Sequence, residues 1–382
     1  MTDQLAIRPE VRMQTETVPL SGPSPGTTRS LTRHHWGTKG ARPKVYLQGG
    51  LHADEMPGPL ALYHLMDLLD QAEAEGRVSG HVVVVPLANP IGLSEWLLHK
   101  PVGRRDLEGA QNFNRGYADL AAIAGDDLEG KLGPDAQANL ATIRQAFSAA
   151  LAAQKAETEV DELRLRLIEG SFDADHVLDL HCDHHAVMHH YTSTAMAEVG
   201  ELLGRAVGSK LALVEDLSGG NAFDEAHTAP WRALRARFPD HPIPDPCFAT
   251  TLEYRGQHDV SDPMAIADAE GLMAFLAGVG ALSGGPGPMH PPAPTAPLAG
   301  AVEFFAPIGG IVSWITLPGD HVTEGQILGH VTDTARRLRL PITAPTSGLL
   351  FRQELWTSCL KGQGLCHVAG QEIRRQGELL SN

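Results

Sequence analysis

The sequence predicts an α/β protein with a layered main domain and a small all-β domain at its C-terminal end. Near the N-terminus a strand, a helix and a second strand follow one another, at residues 45–47, 59–69 and 82–85. A Gly/Pro-rich segment later interrupts the chain, and two similar β-rich halves follow it. We therefore predict a main domain over residues 1–283, a linker over 284–299 and a β domain over 300–382.

Composition excludes several classes of protein. Among 382 residues, 42% are hydrophobic and 20% charged, which is typical of a soluble globular protein. The net charge of −16 argues against nucleic acid as a partner, because nucleic-acid-binding proteins carry basic patches. The four cysteines form no CxxC pair, which fits a reduced compartment. No apolar run reaches the roughly 20 residues of a membrane-spanning helix, and no signal peptide is seen. We therefore expect a cytoplasmic protein that has no membrane partner.

The first candidate site follows the strand at residues 45–47. Two glycines, Gly49 and Gly50, break that strand and allow a tight turn. His52 and Glu55 come next, and their spacing puts both side chains on one face of a turn. Imidazole nitrogen and carboxylate oxygen are zinc ligands, so the stretch predicts part of a zinc site, with a solvated loop as the plainer alternative.

A second apolar strand, at residues 177–180, leads into His181. Asp179 and Asp183 flank this histidine two residues away on each side, and residues i and i+2 share one face of a strand. Either carboxylate is therefore a candidate to fix the tautomer of a metal-binding imidazole. Cys182 would point to the opposite face, which disfavours it as a thiolate ligand.

A third strand-like stretch, residues 250–255, contains one carboxylate, Glu253. Glutamate is disfavoured in strands, so its presence there calls for an explanation. A ligand set of two histidines and one glutamate leaves a zinc position open for water, and a separate glutamate can take a proton from that water. Together the three stretches predict a catalytic zinc site.

The order of these motifs resembles a known family. HxxE at residues 52–55 is followed by Asn-Pro at 89–90, Arg104, NFNR at 112–115, DLH at 179–181 and LEYRG at 252–256. This ordered set resembles the succinylglutamate desuccinylase/aspartoacylase family, which consists of zinc-dependent amide hydrolases related to the zinc carboxypeptidases. The resemblance runs from about residue 45 to residue 256. It implies a zinc carboxypeptidase-like mixed sheet with flanking helices.

The resemblance also implies a metal site and a general base. His52, Glu55 and His181 would bind one Zn²⁺ per chain, and Glu253 would be the base. The chain departs from residues common in the family at three positions, Ala53, Asn112 and Cys182. None of the three removes a ligand, so they bear on the identity of the substrate and not on the metal.

Substrate-binding residues follow from the same resemblance. Asn114 and Arg115 match the pair that holds the substrate carboxylate. Arg104 resembles the residue that polarises the scissile carbonyl, and Arg105 beside it is the alternative for that role.

Two regions between the motifs have alternative interpretations. Residues 118–170 are alanine-rich and helical, and core-facing helices are favoured over an inserted hairpin that serves as a lid or an oligomer contact.

Histidines are frequent at residues 184–190 and are interpreted mainly as loop residues, although they could bind substrate or a second metal. Further elements are predicted at residues 29–36 (strand), 210–214 (strand), 231–238 (helix) and 265–282 (helix).

The C-terminal region resembles a biotinyl/lipoyl-type barrel. Similar segments occur at residues 306–312 and 344–350, each followed by a second turn signal. Carrier domains of this type present a lysine at the hairpin between the halves, whereas residues 332–338 contain none. We therefore expect the fold without the prosthetic group, placed over the mouth of the active site as in the family.

These observations predict a zinc-dependent hydrolase acting on a small N-acyl amino acid or a similar carboxylate-bearing amide. A metallocarboxypeptidase that trims short peptides is the alternative within enzymes. A non-catalytic metal-binding or ligand-binding protein on the same scaffold is the alternative outside them, although an intact Glu253 argues against it. The sequence leaves a homo-oligomer open.

Overall fold

A nine-stranded mixed sheet forms the centre of the computed structural model, which describes residues 14–22, 24–216, 219–377 and 379. The strands numbered in chain order up to residue 297 are β1 Gln14–Leu20, β2 Arg29–Gly37, β3 Lys44–Gly49, β4 His81–Val85, β5 Trp96–Leu97, β6 Lys100–Pro101, β7 His176–Asp183, β8 His185–Ala186, β9 His189–Thr192, β10 Leu211–Val214, β11 Phe248–Gly256 and β12 Thr295–Pro297. The sheet order is β1-β2-β4-β3-β7-β11-β9-β10-β12.

Helices cover both faces of this sheet. They are α1 Pro57–Ala74, α2 Leu120–Ala124, α3 Ala136–Ala153, α4 Glu159–Ser171, α5 Ala197–Val207, α6 Glu225–Arg237 and α7 Asp262–Gly278. Side chains of α1, α5 and α7 share one apolar core with the sheet, while those of α2, α3, α4 and α6 share the core on its other face. The predicted α/β fold with a large mixed sheet and flanking helices is thereby confirmed.

The helical segment between the NFNR and DLH motifs packs into the core. Ile143, Phe147 and Leu151 of α3 are buried together with Leu163 and Leu167 of α4. Helix α4 also begins with a capping box at Thr158, which defines its first turn. Core-facing helices, the favoured interpretation of residues 118–170, therefore describe this segment.

Several strands differ from the sequence-based expectation. Strand β1 lies among residues for which no element was predicted, and it pairs antiparallel with β2. The interpretation of the histidines at 184–190 as loop residues was wrong for His185, which lies in β8, and for His189 and His190, which lie in β9 and are fully buried. Hydrogen bonds make their burial possible, because His189 Nδ1 donates to the Val187 carbonyl and His190 Nδ1 contacts Ser209 Oγ at 3.0 Å.

Strands β3, β7 and β11 lie side by side and run parallel. The register pairs Gln48 with Asp179 and His181 with Glu253. Because parallel strands end at the same edge of a sheet, the residues at and just beyond their carboxyl ends come together there. The predicted motifs at residues 52–55, 181 and 253 all lie at this edge.

The C-terminal region consists of antiparallel strands in two sheets. These strands are β13 Ala301–Phe305, β14 Gly310–Trp314, β15 His321–Val322, β16 Ile327–Asp333, β17 Leu338–Thr343, β18 Gly348–Gln353, β19 Ser358–Cys359 and β20 Gly364–Ala369. One sheet has the order β13-β20-β18-β15 and the other β17-β16-β14-β19. An all-β C-terminal region is therefore present, whereas its closure into a biotinyl/lipoyl-type barrel stays a prediction.

Two connections join the C-terminal region to the rest of the chain. Strand β8 pairs antiparallel with β18, so one C-terminal sheet includes a strand from before residue 283. Within the predicted linker, β12 joins the large sheet by pairing parallel with β10. The boundaries at residues 283 and 300 stay predictions.

The Ser/Gly/Pro cluster at residues 21–26 predicts a turn, and one of its members, Pro23, lies outside the described residues. None of the helices that the structure describes combines the length and the apolar character needed to cross a membrane.

Candidate metal centre and active-site cavity

Three predicted ligands meet at the carboxyl edge of the large sheet. Ligand atoms of His52, Glu55 and His181 all lie within 4.8 Å of one another, and the three side chains are buried. The two oxygens of Glu55 are divided between the rings: Oε1 is 2.9 Å from His52 Nδ1, and Oε2 is 2.7 Å from His181 Nδ1. The structure therefore contains a cluster suited to one metal ion.

The opposite nitrogen of each imidazole contacts a hydrogen-bond acceptor. His52 Nε2 lies 3.0 Å from Asn112 Oδ1, and His181 Nε2 lies 2.8 Å from Asp179 Oδ2. In the neutral ring these acceptors hold the proton on Nε2 and leave the Nδ1 lone pair for a metal. Asp179 is thus the residue that fixes the tautomer of His181, as the sequence predicted for one of its two neighbouring aspartates.

The charges in this cluster shift the pKa values of its members. Burial acts to lower the pKa of His181, but the carboxylates of Asp179 and Glu55 hold it well above its ordinary value. Burial acts to raise the pKa of Glu55, but His52 and His181 hold it well below. Metal binding requires neutral imidazoles, so loading the cluster would release a proton.

Residues that the sequence did not single out support the ligands. Gln48 Nε2 donates to Asp179 Oδ1 at 2.9 Å, and the Tyr46 hydroxyl donates to Gln48 Oε1 at 3.1 Å. Arg164 of α4 donates to the Asn112 carbonyl at 3.0 Å and so holds the loop that carries the NFNR motif. The alternating strand pattern at Tyr46 and Gln48 gave no sign of these roles, because such residues are common in buried strands.

Glu253 lies beside the cluster on the neighbouring strand. Its Oε2 is buried and has no hydrogen-bond partner among the described residues. Burial, together with the negative charges of Asp183 and Glu55, raises the pKa of Glu253 to about 8. The side chain lines the same cavity as His52 and His181.

Arg104 approaches the open side of the cluster. Its Nη1 lies 3.4 Å from His52 Nδ1 and 3.6 Å from Glu55 Oε1. The preceding Gly103 makes this approach possible, since it has a φ of +71° and a Cβ there would lie 2.0 Å from the Asp54 carboxylate. Arg105 instead donates to the Ala110 carbonyl at 2.9 Å and does not line the cavity.

Asn114 and Arg115 both line the cavity, in a turn where Gly116 has a φ of +72°. The backbone N–H of Phe223 donates to Asn114 Oδ1 at 2.8 Å, which orients the side-chain NH₂ away from that bond. Arg115 Nη1 donates to the Asn114 carbonyl at 2.6 Å, while its buried Nε has no partner among the described residues. The guanidinium therefore retains hydrogen-bonding capacity.

The cavity has a volume of about 400 Å³, and its second wall comes from the C-terminal region. Glu303, Phe351, Arg352, His367 and Arg375 line this wall. Arg352 Nε donates to Asp183 Oδ1 at 2.5 Å and ties the wall to the strand that carries His181. The predicted site contained no residue from this region, because sequence spacing does not reveal which strands of a second sheet face a cavity.

Cys182 follows the third predicted ligand, but its sulfur is not among the clustered ligand atoms. Its backbone N–H donates to Glu55 Oε2 at 3.3 Å. Burial and the surrounding carboxylates raise the pKa of its thiol far above the ordinary value. A thiolate ligand at this position is therefore disfavoured, as the alternation of the strand predicted.

Comparison with known families supports the recognition. Residues 41–205 match the sequence model of the succinylglutamate desuccinylase/aspartoacylase catalytic domain. This range includes the three metal-type ligands and the NFNR motif, whereas Glu253 lies beyond it. No curated protein matches the chain.

Solved structures share the fold over almost the whole chain. A protein assigned to the same family from Shewanella amazonensis SB2B has a TM-score of 0.82 at 24% identity, covering 93% of this chain and 98% of its own. A second from Shewanella frigidimarina NCIMB 400 has a TM-score of 0.82 at 23% identity, with coverages of 94% and 97%. The product-bound ectoine utilization protein EutE (DoeB) from Ruegeria pomeroyi has a TM-score of 0.65 at 16% identity, with coverages of 93% and 94%.

At these identities the likeness to the solved structures concerns the fold. The catalytic-domain match at residues 41–205 is independent of them and covers most of the motifs that carried the sequence-based recognition. The recognition is therefore confirmed: this chain resembles the succinylglutamate desuccinylase/aspartoacylase family in its catalytic-domain sequence and in its fold.

Proposed function

We propose that this chain is a zinc-dependent hydrolase that cleaves the amide bond of an N-acyl amino acid or a similar small carboxylate-bearing amide. One observation carries the proposal. A His-Glu-His donor set and a carboxylate with an unpartnered oxygen, that of Glu253, share a single cavity. A site that only bound a metal would gain nothing from an unpartnered carboxylate beside it.

The donor set suits zinc. His52, Glu55 and His181 supply two imidazoles and one carboxylate, the ligand types of many catalytic zinc sites. Asn112 and Asp179 orient the rings as hydrogen-bonded acceptors commonly do for zinc-binding histidines. When bound there, zinc would supply Lewis-acid chemistry, polarising a carbonyl and making a water molecule more acidic.

Glu253 is the proposed general base. Its unpartnered Oε2 can accept a hydrogen bond from a water molecule in the cavity, and a pKa near neutrality suits a group that both takes and returns a proton. Glu253 takes a proton as the water attacks the scissile carbonyl carbon. It then returns the proton to the nitrogen of the leaving amine.

Arginines provide the remaining groups. Arg104 Nη1 lies beside two of the ligands, so its guanidinium is placed to stabilise negative charge that develops on the carbonyl oxygen. Arg115 offers a planar guanidinium that suits a carboxylate, and Asn114 adds a neutral donor. These roles imply a substrate whose carboxylate lies close to the scissile amide.

A substrate screen tests the proposal. The protein is stripped with a chelator, reloaded with Zn²⁺ and assayed for amine release from N-acyl amino acids and from dipeptides of matched size. We expect zinc-dependent hydrolysis of the N-acyl amino acids, with no activity in the stripped protein. Preference for dipeptides would favour a metallocarboxypeptidase, and stoichiometric zinc without any hydrolysis would favour a binding protein.

A further inference from the structure

Three neighbouring strands of the C-terminal region, β13, β20 and β18, form one wall of the cavity. The register pairs Glu303 of β13 with His367 of β20, and His367 with Arg352 of β18. Cross-strand partners share a face, so the three side chains form a row that borders the cavity. At the Arg352 end this row meets Asp183, two residues beyond His181.

Glu303 is the member of this row whose carboxylate accepts no hydrogen bond from a described residue. Its carboxylate lies 3.7 Å from Arg352 Nη1 and 3.8 Å from His367 Nε2, and no described residue donates a hydrogen bond to it. The side chain is 25% exposed, so most of its surface is removed from solvent. A largely covered carboxylate that lacks donors is costly and gains from a ligand that supplies one.

The neighbouring cations are engaged elsewhere. Arg352 donates through Nε to Asp183 at 2.5 Å, and its Nη1 contacts His367 Nδ1 at 3.0 Å. Arg375 donates to the carbonyls of Ala301 and Leu379. Acceptor capacity therefore remains on Glu303, although both arginines contribute favourable charge at longer range.

The backbone opposite Glu303 leaves room for its carboxylate. Gly364 on β20 lies so close that a Cβ at this position would come within 1.7 Å of Glu303 Oε1. Only glycine is compatible with this position of the carboxylate. Because the obstructed atom is the end of a flexible side chain, an alanine at 364 would displace the carboxylate at little cost to the fold.

The rest of the cavity is more acidic than basic. Carboxylates among its lining residues outnumber arginines, and they include Glu215, Asp216 and Glu303. The volume of about 400 Å³ is in the range of cavities that bind drug-sized molecules. A substrate that extends from the metal cluster to the C-terminal wall would meet the carboxylate of Glu303 there, beside Arg352, His367 and Arg375.

We propose that Glu303 binds an ammonium or other cationic N–H donor at the end of the substrate remote from the scissile amide. The inference rests on the proposed function and narrows its substrate class to N-acyl compounds that carry such a group. Glu303 would be a specificity-determining residue supplied by the C-terminal region, separate from the groups that perform the hydrolysis.

Substrate pairs that differ in one amine test this proposal. Nα-acetyl-lysine is compared with Nα-acetyl-norleucine, and N-(6-aminohexanoyl)glycine with N-hexanoylglycine, which places the amine on either side of the scissile bond. We expect kcat/KM of the wild type to favour the amine-bearing member of at least one pair by about 10–100-fold, the effect of a charged hydrogen bond. Glu303→Gln should reduce that ratio to near one.

Gly364→Ala should reduce the same ratio, because it displaces the carboxylate without removing it. Glu324→Gln provides the matched control, since it removes one carboxylate from an exposed position of the C-terminal region where Arg374 is its partner. It should leave the ratio unchanged. Equal rates within both pairs for the wild type, or a Glu303→Gln variant with an unaltered ratio, would overturn the proposal.

A binding measurement separates this proposal from the proposed function. Calorimetry compares the affinity of the zinc-loaded protein for lysine and norleucine, and for 6-aminohexanoate and hexanoate. Absence of hydrolysis with every substrate would contradict the proposed function alone. An amine-dependent affinity that Glu303→Gln abolishes would then still support the role of Glu303, whereas affinities that do not depend on the amine would refute it.

Discussion

The two ends of the cavity differ in how their polar groups are satisfied. At the metal end, His181 has Glu55 on one ring nitrogen and Asp179 on the other, and Asp179 is held in turn by Gln48. At the C-terminal end, Glu303 has Arg352 Nη1 at 3.7 Å and His367 Nε2 at 3.8 Å, and none of the described residues donates a hydrogen bond to it. The imidazoles and carboxylates of the candidate metal cluster are hydrogen-bonded to one another, whereas Glu303, like Glu253 beside the cluster, has acceptor capacity that no described residue fills.

This difference corresponds to different demands on the two ends. Ligands of a metal must be held in one geometry, which chains of buried hydrogen bonds achieve. A group that selects a substrate must instead keep a hydrogen-bonding position free for that substrate. Substitutions at the metal end should therefore affect every substrate, while those at the C-terminal end should affect substrates selectively or alter stability.

The largest effect is expected for His181→Ala. This change removes one of the three proposed ligands and one partner of Glu55 Oε2, so the protein should lose its bound metal and all activity. Metal analysis after dialysis should find about one zinc per wild-type chain and almost none in the variant. His64→Ala is the control, because His64 pairs with Asp262 at the surface. Equal zinc in wild type and His181→Ala would remove His181 from the ligand set.

The second effect is expected for Glu253→Gln. The amide has nearly the same shape but cannot accept the proton, so turnover should fall about 10²–10⁴-fold while zinc stays bound. The measurement is the hydrolysis rate alongside the metal content. The same replacement at the other end, Glu303→Gln, should slow the hydrolysis of amine-bearing substrates and leave that of the others nearly unchanged. Near wild-type turnover of Glu253→Gln would exclude it as the base.

A smaller effect is expected for Arg115→Lys. The ammonium cannot reproduce the two-pronged contact of a guanidinium with a carboxylate, so KM should rise about tenfold with zinc retained. Converting the substrate carboxylate to an amide should harm the wild type by a similar factor and harm the variant little, since coupled partners are not additive. A wild type that hydrolyses the neutral amide as well as the acid would refute the carboxylate contact.

The smallest effect on catalysis is expected for Arg352→Gln. This change removes the hydrogen bond from Arg352 to Asp183 that joins the two walls of the cavity. Charged hydrogen bonds contribute about 2 kcal/mol, so thermal unfolding should begin at a lower temperature while the zinc content is unchanged. An unaltered melting temperature would show that β8 and the apolar contacts hold the walls together without this bond.

Much of the metal end was predictable from the sequence. The histidines and glutamates follow short apolar strands, and their order along the chain is specific enough to indicate both a metal and a family. Asp179 was also accessible, because residues two apart in a strand share a face. Asn112 was recognised only as a departure from the family, although its Oδ1 accepts from His52.

What the sequence by itself determined was the α/β class and the residues able to bind a metal, because both depend on local spacing and on the chemistry of single side chains. The tertiary structure decided which groups complete the site. It placed Arg104, and not Arg105, beside the cluster, put His189 in a buried strand and brought Glu303 and Arg352 to the cavity. These outcomes depend on pairings between residues far apart in the chain, such as Asp183 with Arg352, which no local pattern encodes.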